Sequence, residues 1–101
     1  MSNGEISKKK FEIISPKKFE KILNKLKLSE KYIYKIRTEI KKKLKSKPYD
    51  VFDPKISKVA NQSLIGTYIL RVGNYRILYD INFDLGEVIL TTIKHRSAAY
   101  E

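Results

Sequence analysis

Two arginines, Arg71 and Arg76, bracket the segment Arg-Val-Gly-Asn-Tyr-Arg. A second cationic group, Lys94-His95-Arg96, follows near the end of the chain, with Tyr100 four residues beyond Arg96. Arginine presents a planar fork suited to phosphate, whereas lysine is a flexible, strongly hydrated point charge. Arginines, a lysine and a tyrosine converging on one surface suit a phosphodiester. The cations would neutralise charge growing on the phosphorus-bound oxygens, where preorganised donors are most effective. The chain has no cysteine and one histidine, His95. That removes disulfides, thiolate metal sites and a cysteine nucleophile, and no metal or cofactor is expected.

Whether these cations converge depends on the strands that carry them. Thr67–Val72, Tyr75–Asn82 and Glu87–His95 are rich in β-branched and aromatic residues, and Gly73-Asn74 between the first two is a strong two-residue hairpin signal. Such a turn sets the register. Val72 then opposes Tyr75, Leu70 opposes Ile77, and Tyr68 opposes Tyr79, an apolar and aromatic set that belongs against the core. On the other face Arg71 opposes Arg76, with Ile69 and Leu78 beyond. Like charges directly opposite on a sheet are destabilising, and cross-strand pairs weigh about 0.2–1 kcal/mol. Facing arginines therefore point to an anion site; the bland alternative is that they reach into water or pair with Glu87 or Asp80. A four-residue turn after Asn82 sets Arg76 opposite Ile93, and a three- or five-residue turn sets it opposite Lys94. Either way Lys94, His95 and Arg96 reach the same end of the sheet as Arg71 and Arg76. A structural role for His95, at a strand end, stands beside base stacking or proton handling.

The first half must cover the apolar face. Lys10–Ile14 reads as a short strand ending at Ser15-Pro16, an N-cap serine with proline in the first helical turn. Phe19, Ile22, Leu23 and Leu26 recur at helical spacing and predict a helix over about Pro16–Lys27. Ser29 caps a second helix whose stripe is Ile33, Ile36, Ile40 and Leu44, running to about Lys45 before Ser46-Lys47-Pro48 stops it. The two form an αα-hairpin with a two- or three-residue link. Pro48–Ser63 reads as irregular. Residues 1–9 read as a loose basic arm and residues 10–101 as one domain. The fold class is α+β: an antiparallel sheet of three to five strands, covered on one face by the N-terminal αα-hairpin.

Charge separates the two halves. The 101 residues carry a formal net charge of +11. Residues 1–58 hold seventeen of the eighteen lysines and Arg37 against seven acids, while residues 59–101 balance four cations with four acids. The lysine excess suits attraction to a polyanion, with Lys41, Lys42 and Lys43 as candidate RNA contacts; the alternative is an ordinary solvated helix face. No apolar run approaches the roughly 18 residues of a membrane span, and no signal-peptide pattern opens the chain. A soluble, cytoplasmic protein without membrane partners is expected.

The segment Leu64–Tyr79 (LIGTYILRVGNYRILY) with Lys94–Tyr100 (KHRSAAY) resembles the RelE/ParE superfamily of toxins from prokaryotic toxin–antitoxin systems. The shared pattern is a leucine-glycine step, a Tyr-x-Leu-Arg strand, Val-Gly-Asp/Asn, Tyr-Arg-x-x-Tyr, a closing His-Arg pair and a tyrosine several residues on. The resemblance implies a compact sheet-plus-helices fold. It further implies, for RelE-like members, a ribosome-dependent mRNA endoribonuclease that inhibits translation without a metal, kept in check by a RelB-like cognate antitoxin. By position, Arg76 matches the arginine that stabilises the transition-state phosphate. Arg96 matches the closing arginine at the leaving group, Tyr100 the C-terminal tyrosine, and Arg71 the basic residues of the preceding strand. Lys94 and His95 are candidate RNA contacts beside them. Many RelE-like members carry two cations in that preceding strand; here the alternate position is Ile69. This departure leaves open a ParE-like inhibitor of DNA gyrase, or a degenerate toxin that only binds nucleic acid.

Overall fold

A computed structural model describes residues 10–59 and 68–98. The element order is β1 (Glu12–Ile14), α1 (Lys17–Lys25), α2 (Glu30–Leu44), β2 (Ile56–Lys58), β3 (Tyr68–Val72), β4 (Tyr75–Asn82) and β5 (Glu87–His95). The expected arm over residues 1–9 and the expected strand start at Thr67 lie outside the described residues.

Three strands form where β-branched and aromatic residues cluster, and the Gly73-Asn74 turn sets β3 against β4 in the expected register, Arg71 opposite Arg76 included. Gly73 has φ +58°, and a Cβ there would meet the Tyr32 hydroxyl at 2.3 Å. The turn needs glycine both for its backbone angle and for the close approach of α2. Tyr32 uses that approach: its hydroxyl accepts a hydrogen bond from the Asn74 N–H at 3.1 Å, and its ring meets Tyr75 edge-on.

The sheet is mixed, where an antiparallel one was expected. Five strands run in the order β1-β5-β4-β3-β2, and β1 pairs with β5 in parallel. The N-terminal strand lies on the open edge of β5, so the chain crosses the sheet through the two helices before the meander is built. The opposite edge is β2, paired antiparallel with β3, in a segment expected to be irregular. Three-residue edge strands carry too little alternation to be read from sequence.

The helices follow their apolar spacing. Phe19 and Leu23 of α1 and Ile36, Ile40 and Leu44 of α2 are buried against Leu70, Val72, Ile77, Tyr79, Val88, Leu90 and Ile93. Ser29 caps α2, its side chain accepting from the Tyr32 N–H. The expected cap at Ser15 does not form. Pro16 is the N-cap of α1, and the Ser15 hydroxyl donates instead to the Glu20 carboxylate. Helix α1 also ends at Lys25, two residues early, so four residues separate the helices, with Lys27 in the left-handed region at φ +53°. Tyr79 is fully buried, and its hydroxyl donates to the Pro48 carbonyl at 2.6 Å, satisfying the one polar atom that ring carries into the core. Among the described residues, no helix is long and apolar enough to cross a membrane.

Candidate functional site

The cationic row is completed by a bulge. Four residues connect β4 and β5, and Asn82 pairs with Glu87, a register that carried on unbroken would set Arg76 opposite Ile93. The register shifts between Leu78 and Tyr79: Tyr79 pairs with Leu90 but Leu78 pairs with Thr92, leaving Thr91 as the extra residue of β5. The Thr91 hydroxyl donates to the Leu78 carbonyl at 2.8 Å and so satisfies backbone at the break. Beyond it, Arg76 pairs with Lys94. Because side chains alternate with a period of two, the added residue moves Lys94 from the helix-covered face to the face of Arg71 and Arg76. The sequence expectation that a four-residue turn implies Ile93 opposite Arg76 is thereby corrected.

Arg71, Arg76 and Lys94 consequently form one row across β3, β4 and β5 on the face turned away from the helices. Neighbouring strands are about 4.8 Å apart, so the row spans about 10 Å. All three are partly buried. The two guanidiniums are drawn apart by uncharged oxygens. Arg71 donates through Nη1 to the Pro54 carbonyl at 3.1 Å and to Ser57 Oγ at 3.0 Å, towards β2. Arg76 donates to the Gly73 and Tyr75 carbonyls at 3.3 and 3.2 Å, towards the hairpin turn. These oxygens help to fix where each guanidinium points along the row. Ile69 and Leu78 lie next along the same face and are themselves buried, giving the row an apolar flank. Ser57 and Thr91 are the positioning residues that sequence reading missed. Nothing in a short polar stretch or a Thr-Thr pair announces either role.

The remaining expected residues are distributed differently. The Arg96 N–H donates to the Asn74 carbonyl at 2.7 Å, which extends the ladder by one residue and holds the backbone of Arg96 beside the hairpin turn. His95 reaches the same end of the sheet, but it pairs with Tyr75 and shares the face opposite to Lys94. Its ring meets Tyr75 edge-on at 5.3 Å, and Nδ1 accepts from the Ser97 N–H at 3.2 Å. A backbone N–H can only donate, so this contact selects the tautomer with its proton on Nε2. Lys41, Lys42 and Lys43 lie near the C-terminal end of α2, away from the row. Lys43 donates to Asp53 at 2.9 Å, and the Asp53 carboxyl is held below its ordinary value first by the Lys55 N–H and then by Lys43. Tyr100 lies outside the described residues.

No protein-family model matches the chain, and no curated relative matches its sequence. Solved structures do match. A chain of the RelBE2 toxin–antitoxin complex from Mycobacterium tuberculosis superposes with a TM-score of 0.70 at 23% identity, over 87% of this chain and 93% of that one. A chain of the archaeal RelE–RelB complex from Pyrococcus horikoshii OT3 gives 0.57 at 18% identity, over 88% and 98%. The chain has a RelE-like fold. Within that RelE-like sheet, the row of three cations occupies the face turned away from α1 and α2, and the hairpin turn between β3 and β4 stands at its edge.

Proposed function

We propose that this protein is the toxin of a type II toxin–antitoxin system and acts as a ribosome-dependent mRNA endoribonuclease. The observation that carries the reading is the row of Arg71, Arg76 and Lys94 on the face of a RelE-like sheet turned away from α1 and α2. In the proposed reaction a ribose 2′-oxygen attacks the adjacent phosphorus as its proton leaves. The bond from phosphorus to the 5′-oxygen breaks, and that oxygen takes up a proton, leaving a cyclic phosphate and a free 5′-hydroxyl. Arg76, central in the row, stabilises the charge on the non-bridging oxygens. Arg71 holds the backbone on one side, and Lys94 contributes a third cation on the other. Arg96 serves the leaving oxygen, and Tyr100 attends the 2′-hydroxyl or stacks on a base. His95, on the other face, offers its Nε2 to flanking RNA. The site has no paired histidines for acid–base work, which fits an enzyme that relies on the ribosome to orient the message. Lysines of the first half, Lys41 and Lys42 among them, supply general attraction to the ribosome and its RNA.

A RelB-like antitoxin is the proposed partner in the resting state, as the two similar structures are both toxin–antitoxin complexes. It covers the cationic face or displaces the segment from Arg96 to Tyr100. Expression should arrest translation and cut messages, and Arg76→Ala should lower cleavage about 10²–10³-fold, the usual cost of one transition-state donor. Arg96→Ala should also restore growth. Folded variants that remain fully toxic would show the site to be elsewhere. A second reading, inhibition of DNA gyrase, is favoured by one observation: Ile69, on the same face as Arg71, is apolar and buried where a second cation would serve catalysis. Loss of supercoiling by purified gyrase without any RNA cleavage would select it.

A further inference from the structure

The outward face of α2, of which the proposed function uses Lys41 and Lys42 for general attraction alone, carries a second cationic surface. At 3.6 residues per turn, Lys31, Lys35, Lys41, Lys42 and Lys45 fall with Tyr34 inside an arc of about 120°, opposite the buried stripe of Ile36, Ile40 and Leu44. All six are exposed, and Glu30 and Glu39 lie outside the arc on either side. The stripe is about 21 Å long at 1.5 Å per residue. The ion pairs Arg37–Glu20 and Lys43–Asp53 lie on the helix flanks and draw on none of these lysines. Tyr34 is 73% exposed, so its ring gains almost nothing from the fold. Tyr32, two residues earlier, is instead tied to the β3–β4 turn. An open depression of about 530 Å³ lies along the N-terminal half of the stripe, lined by Lys31, Tyr34, Lys35 and Thr38, with Glu39 at its side.

Lysines in a row neutralise phosphates, and an exposed aromatic among them offers a platform on which an unpaired base stacks. A lipid surface would want a broad apolar face, which this stripe lacks. The stripe runs along α2, on the helix side of the sheet, whereas the Arg71–Arg76–Lys94 row lies on the other face; the Lys35 end of the stripe reaches the β3–β4 turn that Arg76 also touches. We infer that the outward face of α2 is a second RNA-binding surface. Its lysines hold the backbone of an unpaired RNA segment and Tyr34 stacks on one base, while the sheet face holds a different segment. The choice of RNA over other polyanions rests on the function proposed above.

The test is equilibrium binding of the full chain to a short, unstructured 2′-O-methyl oligonucleotide, which cannot be cut by 2′-hydroxyl attack, over a range of salt concentrations. The triple substitution Lys31→Gln, Lys35→Gln, Lys42→Gln should reduce the slope of log affinity against log salt by about 2, at about 0.7 per phosphate on a single strand. Tyr34→Ala should weaken binding about fivefold or more, and Tyr34→Phe should restore it. An unchanged slope in the triple variant overturns the inference. So does wild-type affinity in Tyr34→Ala, or displacement of the oligonucleotide by polyglutamate as readily as by RNA. Message cleavage in a translation extract is scored separately. A wild-type chain that cuts nothing yet shows the expected change in slope refutes the nuclease reading and supports the α2 surface.

Discussion

The two faces of the sheet are built from the same three strands and do opposite work. On the helix side, Leu70, Val72, Ile77, Tyr79, Val88, Leu90 and Ile93 are all but fully buried, and α1 and α2 close over them. On the other side the same strands place Arg71, Arg76 and Lys94 side by side. Adjacent residues therefore do different work: Ile77 is buried in the core, and Arg76 stands in the cationic row. Apolar burial favours the first face, whereas like charges set side by side on the second do not by themselves favour folding. Oxygens of Pro54, Ser57, Gly73 and Tyr75 help to fix where the two guanidiniums point.

That contrast can be tested with neighbouring substitutions. Ile77→Ala, at a fully buried position, should cost about 2–5 kcal/mol by urea or thermal unfolding. Arg76→Ala should leave stability within about 1 kcal/mol, because it also relieves the like-charge pair with Arg71. If Arg76→Ala proves as damaging to the fold as Ile77→Ala, the division of labour between faces is wrong.

A second substitution probes the turn that joins the two faces. Gly73→Ala would force an L side chain into φ +58° and drive its Cβ against the Tyr32 hydroxyl. A loss of about 1–3 kcal/mol is expected in the same unfolding measurement. Tyr32→Phe in the Gly73→Ala background should recover part of it by removing the clashing oxygen. No recovery would mean that backbone strain alone is responsible.

The smallest effect concerns a charged pair remote from the row. Arg37 makes two hydrogen bonds to Glu20, at 2.8 and 3.1 Å. These hold the Glu20 carboxyl below its ordinary value of 4.5, against a smaller opposing contribution from burial. A carboxylate lowered in the folded state adds stability above its unfolded pKa and loses it as pH falls through the folded value. Glu20→Gln should therefore flatten the decline of stability below about pH 4.5 and cost about 0.2–1 kcal/mol at neutral pH, since the pair is half exposed. An unchanged acid limb would show the pair to be open in solution.

Much of this was legible beforehand because strong local rules agreed. Gly-Asn between two β-rich runs specifies a tight hairpin, and a tight hairpin specifies every pair from Tyr68–Tyr79 to Val72–Tyr75. The apolar spacing of Phe19 with Leu23, and of Ile36 with Ile40 and Leu44, specifies which helix faces are covered. What escaped were features whose stabilisation is entirely non-local. Glu12–Ile14 is a parallel strand only because the edge of β5 is open to it. Ile56–Lys58 is a strand only because β3 offers it an edge. Ser15 has a good capping residue type, yet its hydroxyl meets Glu20.

The amino-acid order alone thus determines the α+β class, the hairpin at Gly73-Asn74 and the facing of Arg71 with Arg76. Each follows from chain-local geometry with a period of two or of 3.6. The tertiary structure alone decides that Lys94 joins them, because one residue, Thr91, is taken out of the β5 ladder and every side chain beyond it changes face. Three-dimensional placement also decides that His95 turns away to Tyr75, and that α2 packs on the face of the sheet opposite the row. Register and layer order are set by which edges and faces are left to pair, and no local stretch of chain contains that information.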